Sequence, residues 1–225
     1  MWILNAIRSG DGTALILGLG VRLIAVLLIL PIHEAAHGWM ALRLGDPTAK
    51  MQGRLPLNPF AHLNLIGTLA LLLVGFGWAE PVPINPLYFK KPKRDCALVA
   101  LAGPLSNMLF ALIAALLGHA FGIWGLLRGI AGEWILQFLV YFVSINISLA
   151  VFNLIPIPPL DGSRILAAGL PDRWNRAFMN YEQYFFLGFV LLLAFGVLDG
   201  VLGRVNGTLF QWIWTIAGLP FRWIR

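Results

Sequence analysis

The chain has 225 residues, of which 59% are hydrophobic and only 12% charged. A water-soluble domain of this size cannot hide that much apolar surface, so lipid has to be the solvent for most of it. The formal charge of +6 does not signal nucleic acid: the basic residues sit in short stretches between apolar runs, where they read as topology-setting charge beside anionic headgroups.

A helix that crosses a bilayer takes about 20 apolar residues. Met1 to Gly12 is too short and too polar and is expected to lie at the interface. It lacks the basic, apolar and small-residue series of a cleavable signal, so the apolar segment after it is expected to stay on the chain. The first span runs from about Leu23 to Leu42, between Arg22 and Arg43. The next apolar run, Leu63 to Trp78, is shorter and holds Gly67, Gly75 and Gly77. A proline-rich polar loop, Glu80 to Asp95, leads to a long span from Ala97 to Phe121, and another follows from about Trp134 to Ile155. Pro156 to Glu182 is polar and broken by prolines; the last apolar segments are Gln183 to Leu198 and Asn206 to Phe221. The expected fold is an all-α polytopic membrane protein with five to six transmembrane helices, a single domain over 1–225 with its core at about 23–170.

Charge then assigns sides. Arg43, Lys50 and Arg54 follow the first span, and Lys90 to Arg94 is the densest basic cluster. Both loops are expected in the cytosol, so the segment between them, 63–78, is expected to be a re-entrant hairpin, tolerated where protein or a water-filled cavity satisfies its backbone. The loop with Arg164, Arg173 and Arg176 then falls inside as well, the N-terminus outside and the C-terminus inside. The lone cysteine, Cys96, excludes an intrachain disulfide and a cysteine zinc ribbon.

The chemistry sits within the first span, at His33-Glu34-Ala35-Ala36-His37. Histidines at i and i+4 share one helical face, so both imidazoles reach a single zinc ion. Glu34, one position along, is placed to act as general base on a water there. Ionisable residues at such depth are costly unless paired or metal-bound. With a rise of 1.5 Å per residue, His37 and His33 lie about 8 and about 14 Å below Leu42, in the cytosolic half.

A catalytic zinc keeps three protein ligands and one open position. His62, His119, Glu133 and Asp161 are the candidates for the third. His119 and Glu133 border the outer loop and read as interfacial residues. Asp161 follows Asn153-Leu154-Ile155-Pro156-Ile157-Pro158-Pro159-Leu160, at the inner end of the fourth apolar run. The prolines stop the helix there, and Gly162 permits a sharp turn that aims the carboxylate at the metal. Asp161 therefore returns to the side and depth of the histidines. His62 has two readings, a substrate-contacting group or a cap of the hairpin, and Asn107 and Asn146 read as groups that hydrogen-bond neighbouring helices.

HEAAH at 33–37, AGPLSN at 102–107, NLIPIPPLDG at 153–162 and LGDPTAKMQGRLPLNPFAHLNLIGT at 44–68 together resemble the site-2 protease family of intramembrane zinc metalloproteases, in its short form without a PDZ or CBS domain. The resemblance covers about residues 30–170. It implies that His33, His37 and Asp161 bind one zinc ion, that Glu34 activates water, and that Asn153 orients substrate or hydrogen-bonds the developing oxyanion. It also implies a transmembrane protein or leftover signal segment as substrate, trimmed beforehand by another protease, and a place in the cell (inner) membrane with the active site toward the cytosol. Asn64 departs from the family, which carries an aspartate there. A zinc-binding transporter or scaffold would show repeated halves, and none are visible. A pseudoprotease would lack Glu34 or a ligand, and all are present.

Overall fold

The computed structural model describes residues 12–54, 81–171 and 180–223, together with 173, 175 and 178. Among them all regular structure is helical. In chain order come α1 (Gly12–Leu44), a short α2 (Thr48–Met51), a 3-10 turn at Pro86–Tyr88, α3 (Pro92–Ile123), α4 (Gly129–Asn153), α5 (Asp161–Gly169), α6 (Glu182–Ala194) and α7 (Asp199–Gly218), closed by a 3-10 turn at Leu219–Phe221. The expected hairpin at 63–78, with His62 and Asn64, lies outside the described residues.

Helix α1 is longer than the expected Leu23–Leu42 span. It runs unbroken for 33 residues, through Pro31. A proline inside a helix forfeits one bond to the carbonyl four residues back, but in an apolar setting the remaining backbone groups have no partner outside the helix, so the helix continues. Helices α3 and α4 match the third and fourth expected runs. Pro92 opens α3 at a position where a missing N–H costs nothing. Asp95, one turn in, accepts from the Lys91 backbone N–H at 2.9 Å and from Arg94 Nε at 2.9 Å.

Helix α3 is the centre of the molecule. One face meets α1; the other carries Ala111, Ala114 and Ala115 into a core with Leu139, Val143 and Ile147 of α4 and Ile213 and Ala217 of α7. Between apolar helices in lipid, close approach and dispersion replace the hydrophobic drive, and small residues allow that approach. At the other end of α1, Ala41 packs on Phe89 and Val99. The fully buried Asp46 accepts from the backbone N–H groups of Thr48 (2.9 Å) and Asn85 (2.7 Å), which pins the 81–85 segment beside the end of α1.

Among the described residues two helices, Pro92–Ile123 and Gly129–Asn153, are long and apolar enough to cross a membrane, and α6 with α7 makes a third if the pair, bent by 83°, is one broken span. The bend sets the course of the C-terminal part. Phe189 of α6 stacks near Phe152, at the last turn of α4, with ring centroids 5.4 Å apart. Asn206 of α7 donates to Ser148 Oγ at 3.2 Å. Eight residues on, the Trp214 carbonyl accepts from His119 Nε2 at 3.0 Å, near the far end of α3. Helix α6 thus stays near the C-terminal end of α4, α7 runs back along α3 and α4, and Phe221 lies beside His119 at the end of the bundle opposite Lys90–Arg94.

Candidate metal centre

His33 and His37 project from α1 onto a stripe of α3 formed by Val99, Gly103 and Asn107, spaced four apart and therefore stacked on one face. At the centre of the stripe only glycine fits. A Cβ on Gly103 would stand 2.5 Å from Cε1 of both imidazoles and from Nε2 of His37. The rings rest on bare backbone and are almost fully buried, at 4% and 6% exposure. Above the glycine His37 Nδ1 donates to the Val99 carbonyl at 2.7 Å; below it Asn107 Nδ2 lies 3.2 Å from His33 Nδ1.

With their Nδ1 atoms engaged, both rings turn Nε2 toward one point. The two Nε2 atoms are 3.1 Å apart, and Asp161 Oδ2 stands 3.2 Å from that of His33 and 3.3 Å from that of His37. Asp161 arrives from the first turn of α5, behind the Pro-rich loop. Its carboxylate is aimed by close packing, not by an unusual turn: Gly162 is buried and helical, and a Cβ there would collide with the carbonyl oxygens of Leu154 and Ile155. The expectation of a sharp glycine turn is corrected accordingly.

This triangle fits zinc. Ligand atoms about 2.0–2.1 Å from a tetrahedral zinc are separated by about 3.3 Å, against the 3.1, 3.2 and 3.3 Å found here. Asp161 Oδ2 is buried and makes no hydrogen bond, the condition of a ligand atom. Magnitudes agree with the geometry: a charged residue deep in a bilayer costs roughly 3 kcal/mol, whereas structural zinc sites contribute roughly 10 kcal/mol or more.

Glu34 is held apart from the triangle. Its Oε2 accepts from the Val82 backbone N–H at 3.0 Å, yet a carboxylate oxygen and one nitrogen of each imidazole lie within 4.8 Å of one another. That spacing sets the Glu34 carboxylate at the edge of a position that a metal ion could take. Pro81 and Pro83 flank Val82 and have no N–H, so Val82 carries the one backbone donor of that tripeptide.

Asn153, the last residue of α4, spends one N–H of Nδ2 on its own helix, at the Leu149 carbonyl, 3.0 Å away; the amide has a second N–H to give. His119 and Glu133 lie toward the end of the bundle far from the triangle, where His119 Nε2 donates to the Trp214 carbonyl. Asn146 does not reach across helices: its Nδ2 bonds the Phe142 carbonyl of α4 at 2.9 Å. Sequence reasoning missed the parts played by Gly103, Val99 and Val82. The spacing of 99, 103 and 107 within AGPLSN and the turn before it was a usable signal for the stripe; Val82 offered none beyond its proline neighbours.

Comparison with known proteins agrees with this picture. The model of Peptidase family M50 matches residues 21–197. Three relatives each carry the name "Putative zinc metalloprotease". YwhC of Bacillus subtilis is 41% identical over 174 residues, 76% of this chain and 78% of the relative. Rip2 of Mycolicibacterium smegmatis is 30% identical over 198 residues, 86% and 72% of the two chains. MJ0611 of Methanocaldococcus jannaschii is 32% identical over 175 residues, 78% and 81% of the two. No solved structure matches.

Proposed function

Because the chain belongs to peptidase family M50, the site-2 proteases, we propose that this zinc metalloprotease hydrolyses peptide bonds within or near transmembrane segments. In this reading His33, His37 and Asp161 hold the metal and Glu34 is the general base. The observation that carries it is the convergence of two Nε2 atoms and Oδ2 into a triangle of zinc dimensions, with a second carboxylate, Glu34, beside it.

Zinc, when bound, acidifies a water and polarises the scissile carbonyl. The chain's own residues do the rest. Glu34, steadied at Oε2 by Val82 N–H, takes a proton from the attacking water and returns one to the leaving nitrogen. Asn153 donates its second Nδ2 hydrogen to substrate or to the developing oxyanion. The buried rings on Gly103 keep the ligands in one geometry and exclude bulk water from their outer side. A helical substrate shields its amides by hydrogen bonds, so it must unwind locally before its carbonyl reaches Glu34. The substrates are transmembrane proteins or leftover signal segments with helix-weakening residues. Helices α1, α3 and α4 cross the cell (inner) membrane with the site in the cytosolic half, the side of Lys90–Arg94.

The test is zinc content and cleavage of model transmembrane substrates, wild type against Glu34→Gln. The variant is expected to keep one zinc per chain while cleavage falls at least a hundredfold, as for loss of a general base. Wild type that holds zinc but cuts no helix in a panel with unwinding-prone centres would overturn the protease reading; wild type without zinc would overturn the metal centre.

A further inference from the structure

Asn107 is fully buried on α3, and its amide meets the ring of His33: Nδ2 is 3.2 Å from Nδ1. Its Oδ1 is buried too and has no hydrogen-bond partner. An amide has two orientations related by a half-turn about its last bond, and they place opposite demands on the imidazole. With Nδ2 toward the ring, Nδ1 has to accept, so the ring proton sits on Nε2. That is the atom facing His37 Nε2 and Asp161 Oδ2, and a protonated Nε2 has no lone pair for a metal. With Oδ1 toward the ring, Nδ1–H donates and Nε2 is free to coordinate. The present orientation leaves the buried Oδ1 without a partner, so it gains nothing that the contact with His33 would have to outweigh.

His37 shows the second arrangement already made in backbone. A carbonyl cannot donate, so Val99 O forces the proton onto His37 Nδ1 and bares Nε2. His33 has no such carbonyl, because its neighbour on the stripe is a side chain.

We propose that Asn107 is the positioning residue of His33: its carbonyl oxygen accepts from Nδ1–H and holds the imidazole in the tautomer that presents Nε2 to zinc. The inference rests on the reading of His33, His37 and Asp161 as the zinc ligands. Groups that hold a ligating histidine in this way commonly matter 10–100-fold in metal affinity.

The experiment compares wild type, Asn107→Leu and Asn107→Asp as purified full-length protein. Zinc affinity is read by competition with a chelator, and the visible spectrum of the cobalt(II) form reports the ligand set. Thermal unfolding of the metal-free forms reads stability separately. Asn107→Leu, similar in size but without an acceptor, is expected to bind zinc at least tenfold more weakly. Asn107→Asp, which still accepts from Nδ1–H, is expected to stay within about threefold of wild type and keep its cobalt spectrum. Leucine binding as tightly as asparagine would overturn the inference while leaving the metal centre intact; wild type without zinc would overturn the centre itself. Should Asn107→Leu not fold, wild type with 15N-histidine decides. With only four histidines in the chain, the zinc form must show His33 as an Nδ1–H ring bound through Nε2, and metal on Nδ1 would refute the proposal.

Discussion

Two imidazoles a turn apart are a common pattern; what makes this pair a site is the ground they stand on. Gly103 supplies a floor with no side chain, and the rings lie so close to it that one methyl group is too much. A Gly103→Ala change has to push both imidazoles away from Asp161 Oδ2. Overpacking of this kind costs about 1–3 kcal/mol, which is about 10–100-fold in affinity if it falls on the metal-bound state. Zinc competition with the purified variant is expected to show that loss, and an unchanged affinity would mean that the rings rest elsewhere. At this scale the meeting of His33, His37 and Asp161 was legible from residue type and spacing, because metal chemistry restricts both. Gly103 was not, since a glycine in a membrane helix announces close approach without naming what approaches.

At the scale of elements, the segment at 81–85 is held at two points. Asp46 anchors Asn85 at the end of α1, and Val82 reaches Glu34 one helix turn above His37. The segment therefore ties the position of the α1–α2 corner to Glu34, the proposed general base. Val82→Pro removes the only backbone donor among 81–83, while Val82→Ala keeps it. Cleavage is expected to fall at least tenfold in the proline variant and to change little in the alanine variant, with one zinc retained in both; equal cleavage by the two would show that Val82 N–H plays no part. The sequence displayed the prolines but not the contact, because the partners are separated by 48 positions and by a stretch of chain whose path hydropathy does not describe.

The whole molecule is ordered around α3, with α1 on one side and α4 and α7 on the other. Hydropathy located α3 and α4 well because each is one continuous apolar run. It did not show the course of the C-terminal part, because apolar length says nothing about direction: α6 turns by 83° before α7 begins. Leu87 and Trp223, both 91% exposed, therefore belong to opposite ends of the bundle. Single cysteines at these positions, on a Cys96→Ala background, are expected to react with a membrane-impermeant maleimide from opposite sides of a vesicle. Labelling of both from one side would refute the single C-terminal crossing.

The ligands also arrive at different times. His33 and His37 leave the ribosome early, while Asp161 follows roughly 130 residues later. At usual synthesis speeds of about 5–20 residues per second, that interval is on the order of 10 s. Throughout it the nascent chain holds a histidine pair and a glutamate but no complete triangle, so a chain cut short before α5 enters the bilayer without a working blade. On the proposed metal centre, the order of synthesis is itself a safeguard: the triangle cannot close until α4 has been delivered and the proline loop behind it has folded back to α1.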